Sequence, residues 1–96
     1  MRMSKHALTR CHQRGVGENL AHLVYDWADG CRMSGSAELM YISHQQAQRM
    51  HDMGWPGTQV ARMRRLVLVA DQDGTCITVL PGRMGRRALT RSRRLQ

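Results

Sequence analysis

The sequence predicts an α+β domain: N-terminal helices packed on a small antiparallel sheet of about three strands, with an arginine-rich tail behind it. Three observations carry this. Apolar residues recur at helical spacing over 18–29, and two strand-like runs flank a short turn at 71–74. The chain of 96 residues, 42% apolar and 23% charged, is long enough to bury one core and too short for two. The boundaries that follow are a single domain over 1–83 and a flexible tail over 84–96.

The first helix spans 4–14, where good helix formers run without Pro or Gly between Ser4 as N-cap and Gly15 as terminator. Ala7, Leu8 and Cys11 share its inward side. A second helix over 18–29 repeats Leu20, Leu23, Val24 and Trp27 at i, i+3, i+4 and i+7, with Glu18 at its start and Gly30 at its close. Residues 32–36 read as a polar turn and 38–42 as a strand. Ser43 followed by Gln46 gives a capping-box pattern for a third helix over 44–53, which Gly54 ends. Trp55-Pro56-Gly57 is a turn, and 58–64 is open between loop and short helix. The runs 65–70 and 75–80, rich in Val, Leu, Ile and Thr, form a hairpin through Asp71-Gln72-Asp73-Gly74. Pro81 and Gly82 stop its second strand. Eight methionines against no phenylalanine suggest a core filled by Met33, Met40, Met50, Met53 and Met63. Trp27 belongs in that core, and Trp55 is read as packing in preference to stacking on a base.

Charge is distributed unevenly. The net charge is +8, made of +4 over 1–17, −2 over 18–73 and +6 over 74–96, so both ends are basic and all seven acids lie between them. Fourteen of the fifteen basic residues are arginine, whose planar fork grips phosphate through two parallel hydrogen bonds. An anionic partner follows, with nucleic acid, RNA ahead of DNA, favoured over an acidic protein or a lipid surface. Arg83 at the end of the domain and Arg86, Arg87 and Arg91 in the tail are the expected phosphate contacts.

Other classes find little support. The longest apolar run, Leu66–Ala70, has five residues where a membrane-crossing helix needs about 20, and no secretory signal opens the chain. A cytoplasmic protein without membrane contact is the expectation. Cys11, Cys31 and Cys76 form no paired metal or redox spacing, so reduced thiols and no metal or cofactor are expected.

The residues with chemistry to offer are His6, Arg10 and Arg14. Their four-residue spacing drifts only about 40° per step on a helix, which lines an imidazole and two guanidinium groups along one strip. Metal-free cleavage of RNA needs such a set. A group titrating near neutrality moves a proton at the 2′-hydroxyl or the leaving 5′-oxygen, and fixed donors stabilise charge on the phosphate oxygens. The same strip on a basic helix also serves plain phosphate neutralisation. His44 and His51 lie seven apart near one face of the third helix, and His22 reads as a flank residue.

Ser4-Lys5-His6-Ala7, then Arg10, then Gln13-Arg14-Gly15-Val16 resemble the opening signature of the bacterial "domain of unknown function 4258" family. Leu66-Val67-Leu68-Val69 with Asp73-Gly74 and Cys76-Ile77-Thr78-Val79 is similar to that family's closing hairpin, and together the motifs cover 4–83. The resemblance implies a layout like the small RelE-like and barnase-like ribonuclease toxins, and hence a toxin module of a toxin-antitoxin or secreted effector system, an acidic antitoxin being the partner in the first case. It makes His6 the general acid or base. Arg10 and Arg14 become the binders of the scissile phosphate, the Thr78 hydroxyl a donor to a phosphate oxygen, and Arg83 the holder of a neighbouring phosphate. The first helix carries no tyrosine or glutamate as second proton-transfer partner. Two readings therefore stand side by side: a metal-independent ribonuclease cleaving single-stranded RNA, and a non-catalytic module that binds nucleic acid or an antitoxin.

Overall fold

The computed structural model describes residues 1–94. In chain order they form α1 (Lys5–Gln13), α2 (Glu18–Trp27), β1 (Gly30–Ser34), β2 (Ala37–Tyr41), α3 (His44–Asp52), α4 (Gly57–Arg64), β3 (Leu66–Ala70), β4 (Cys76–Pro81), α5 (Gly82–Arg91) and the two-residue β5 (Arg93–Arg94). The class is α+β. The strands make one sheet in the order β4-β3-β2-β1-β5, every neighbouring pair antiparallel. The sheet is larger than the three strands expected, because Gly30–Ser34 is a strand where the sequence reads as a helix stop and a polar turn. The true turn is Ser34 to Ala37, where Gly35 takes a φ of +63°, and it closes a β1–β2 hairpin.

The N-caps act at the predicted positions. Ser4 Oγ accepts from the Ala7 amide at 3.0 Å, and Ser43 Oγ accepts from the Gln46 amide at 3.1 Å. The reciprocal half of the capping box is replaced. The Ser43 amide donates to Asp29 Oδ1 at 2.8 Å, while the Gln46 side chain turns to the Trp27 carbonyl at 2.9 Å. Those bonds tie the start of α3 to the end of α2. In the 71–74 turn, Asp71 Oδ1 accepts from the amides of Asp73 and Thr75, and Gly74 supplies a φ of +80°.

Two apolar clusters lie on opposite faces of the sheet, and β3 is buried on both. Leu66 and Leu68 join Ala7, Cys11, Val24, Met50, Met63, Cys76 and Val79 under the N-terminal helices. Val67 and Val69 join Leu39 beneath Ala88 and Leu89 of α5. Leu8, expected inside, is 39% exposed, and Met53 is 64% exposed. Trp55 packs edge-on against Trp27 with ring centroids 5.1 Å apart, as the packing reading requires.

The stretch expected as a flexible tail is largely an element of the fold. Gly82–Arg91 is helical and packs on the second face of the sheet. Its inward side is Gly85, Ala88 and Leu89 at i, i+3 and i+4, a spacing that the abundance of arginines obscures. Gly85 is buried so closely that a Cβ there would lie 2.7 Å from the Leu80 carbonyl oxygen and 2.7 Å from Val67 Cγ2. The last two residues of the predicted tail lie outside the described residues.

Candidate nucleic-acid interface

Helix α1 runs beside β4, an edge strand. The edge is covered by the N-terminal segment, whose Arg2 carbonyl accepts from the Cys76 amide at 2.8 Å and whose Ser4 amide donates to the Cys76 carbonyl at 2.9 Å. His6 is exposed, and its Nε2 accepts a hydrogen bond from Arg10 Nε at 3.3 Å. Arg10 Nη1 also donates to Gln13 Oε1 at 2.9 Å. Arg14, one turn on, is half-buried, and its Nη1 donates to the Val79 carbonyl of β4. The strip therefore exists, with unequal members. His6 is exposed and bonded to the half-buried Arg10, while part of Arg14's donor set holds the helix to the sheet edge.

Thr78 is not brought to that strip. It pairs with Val69, and directly opposed residues share a sheet face, so Thr78 lies on the α5 side. Helix α1 packs on the other side through Ala7 and Cys11 against Cys76 and Val79. The cause is a bulge. The register shifts between Val69 and Ala70, with Cys76 opposite Ala70 and Thr78 opposite Val69. One extra residue in β4 reverses the alternation, and without it Thr78 would share the face of Cys76 and α1.

Arg83, Arg86, Arg87 and Arg91 are all exposed along the outer side of α5, and with Thr90 they line a shallow depression of about 460 Å³. Arg86 also borders a second groove of about 390 Å³, between α5 and the start of β3, lined by Arg64, Arg65, Val67, Gly82 and Leu89. Arg65 in turn borders a third groove of about 820 Å³, which carries Arg14 and Arg62. The shared residues join the three depressions into one band, from the end of α1 across the α4–β3 junction to α5. No acidic side chain lines any of them among the described residues. Asp71 and Asp73 sit elsewhere, in a depression with Ser36, Ala37 and Ile77.

Sequence reasoning missed Arg62, Arg64 and Arg65 as parts of this band. They fall inside the segment of net negative charge, and basic residues in a helix's last turn have an ordinary explanation in the helix dipole. His44 and His51 line a small cavity of about 150 Å³ between α3 and α4 together with Arg64.

The thiols are poor nucleophiles near neutral pH. Burial pushes Cys76 up to about 11, with neighbouring Cys11 adding to the rise. Burial also raises Cys11, with Glu18 adding, and raises Cys31, whose Sγ donates to Glu38 Oε2 at 3.6 Å. No helix among the described residues is long and apolar enough to cross a membrane. Comparison of the chain with protein-family models, curated proteins and solved structures finds no match.

Proposed function

We propose that this chain is a toxin-like RNA-binding protein that holds single-stranded RNA along its arginine band. The observation that carries the reading is the continuity of the three grooves through Arg65 and Arg86 with no carboxylate on their walls. Successive guanidinium groups bind successive phosphates, and each such pairing releases condensed counterions from the nucleic acid. An acidic antitoxin segment would compete for the same surface by the same chemistry.

The His6–Arg10 pair favours a second reading, metal-independent cleavage. In it the 2′-oxygen attacks phosphorus, His6 Nε2 accepts the 2′-hydroxyl proton, the 5′-oxygen leaves with a proton from solvent, and a 2′,3′-cyclic phosphate remains. Arg10 would have to swing from Nε2 to the phosphate, because the lone pair a base needs is the one it now occupies. Binding therefore ranks above catalysis. Single-stranded RNA titrated against wild type and Arg65→Glu/Arg86→Glu tests the binding reading, which predicts at least about a hundredfold loss in the variant. Equal affinity would refute it. Incubation of labelled RNA with wild type and His6→Ala tests the second reading, which predicts cyclic-phosphate ends from wild type alone.

A further inference from the structure

The third groove has the broadest apolar lining of the three, six residues against Val67 and Leu89 in the second. Val16, Leu20 and Leu23 come from α2 and the loop before it, Pro56 from the start of α4, and Leu66 and Pro81 from the strand ends. Arg14 from the end of α1 and Arg62 and Arg65 from the end of α4 stand around that lining, with Asn19, Thr58 and Gln59 as neutral donors and acceptors. Its volume of about 820 Å³ falls within the range of about 300–1,000 Å³ typical of small-molecule sites and exceeds what a lone phosphate needs. Simple phosphate neutralisation requires neither the depth nor the apolar lining.

We infer that this groove receives one unstacked nucleotide of the bound RNA, its base against Leu20, Leu23 and Pro56 and its phosphate on Arg14, Arg62 and Arg65. The inference rests on the RNA-binding reading and deepens it by giving one base of the single strand a site of its own, since a base inside a duplex cannot leave its stack without cost. The flat heteroaromatic ring matches the apolar walls, Asn19 and Gln59 can meet its polar edge, and the anion matches the rim. Helix α4 begins at the groove with no side-chain cap on its first amides and no acid in its first turn, which adds partial positive charge to the same rim.

The test fills the groove without touching an arginine. Thr58→Trp and Asn19→Trp place a ring into it from α4 and from α2, and both positions are exposed, so the fold tolerates them. Each variant should lose about tenfold in affinity for a single strand carrying 2-aminopurine, and lose the fluorescence change of an unstacked base. The salt dependence should flatten by no more than about 0.7, the share of the one phosphate seated in the groove, because the other arginines of the band keep their contacts. AMP should shift the methyl resonances of Leu20 and Leu23 in wild type, and inorganic phosphate should not. Unchanged affinity in both variants, or equal shifts from phosphate and AMP, overturns the inference while leaving the arginine band intact. AMP binding in the groove by a protein that shows no affinity for single strands would instead refute the RNA-binding reading and keep the groove as a nucleotide site.

Discussion

Arg32 Nη1 donates to the Leu89 carbonyl at 2.9 Å, joining β1 to the last turn of α5 across 57 residues of chain. A cation at a helix C-terminus meets the negative end of the dipole, and the Leu89 carbonyl also accepts from the Ser92 amide at 3.3 Å and the Ser92 hydroxyl at 2.7 Å. The Arg32 guanidinium also lies 5.8 Å from the centre of the Tyr41 ring, and its Nε is buried without a partner. One side chain thus fastens the helix bearing four candidate phosphate-binding arginines to the sheet.

Removing that clamp should loosen α5 before it loosens anything else. Arg32→Ala is expected to cost about 1.5–3 kcal/mol, the range for a hydrogen bond to a charged group. Denaturant unfolding gives the size, and hydrogen exchange should show faster opening confined to 82–91. Arg32→Met should cost less, because it keeps the stem over Tyr41 and removes the orphaned Nε. Uniform acceleration across the whole chain would contradict the clamp.

Gly85 gives the sharpest test of docking, since the two competing effects have opposite signs. In an exposed helix Gly→Ala stabilises by about 1 kcal/mol. Here the added Cβ meets the Leu80 carbonyl and Val67 at 2.7 Å, so Gly85→Ala should destabilise by about 1–3 kcal/mol. Deleting residues from 82 onward should be worse still, uncovering Val67 and Val69 together. A raised melting temperature for Gly85→Ala would mean that α5 does not sit on the sheet.

The need for that helix was legible in β3. Leu66–Ala70 is an unbroken apolar run where a one-sided strand would alternate, which signals burial on both faces. The N-terminal helices cover one face, so the remaining chain had to cover the other. Six arginines after residue 82 masked the Gly85, Ala88 and Leu89 spacing. Helices α1 to α3, the hairpin turn and the two caps could be read because each has a local signal in periodicity or capping chemistry. β1 could not: Cys31 and Met33 do alternate with Gly30, Arg32 and Ser34, but five residues that open on a glycine just after a helix read equally as a stop and a turn, and the pairing with β2 decides between them. Of the candidate site, the His6–Arg10 spacing was local and therefore visible. The bulge that turns Thr78 away, and the meeting of Arg14, Arg62 and Arg65, depend on residues far apart in sequence.

Cys76 should make stability fall in alkali. Its thiol ionises near its ordinary value of 9.0 when unfolded and only at about 11 when folded. The unfolded state therefore loses its proton first, so the stabilisation present below pH 9 is lost as pH rises toward 11, by roughly 2–3 kcal/mol for this one group. Unfolding measured from pH 8 to 11 should show a steeper decline in wild type than in Cys76→Ala, whose baseline stability is lower but lacks this contribution. Parallel curves would mean that the thiol ionises freely in the folded protein.

The four outward arginines of α5 should govern salt sensitivity without governing the fold. Arg83, Arg86, Arg87 and Arg91 are exposed on the side away from Gly85, Ala88 and Leu89, so replacing them with glutamine keeps the packed face and the helix propensity. The quadruple glutamine variant should melt within a few degrees of wild type. Its affinity for single-stranded RNA should fall, and the plot of log affinity against log salt should flatten by about 0.7 for each phosphate that is no longer neutralised. The same replacement at Arg49, which lies on α3 outside the three grooves and bonds Gln46 Oε1 at 3.4 Å, should leave the slope unchanged. Equal flattening from Arg49 and from any one α5 arginine would show that total charge, and not the band, attracts the nucleic acid. A slope unaltered by all four would exclude α5 from the interface and confine binding to the grooves beside Arg14 and Arg65.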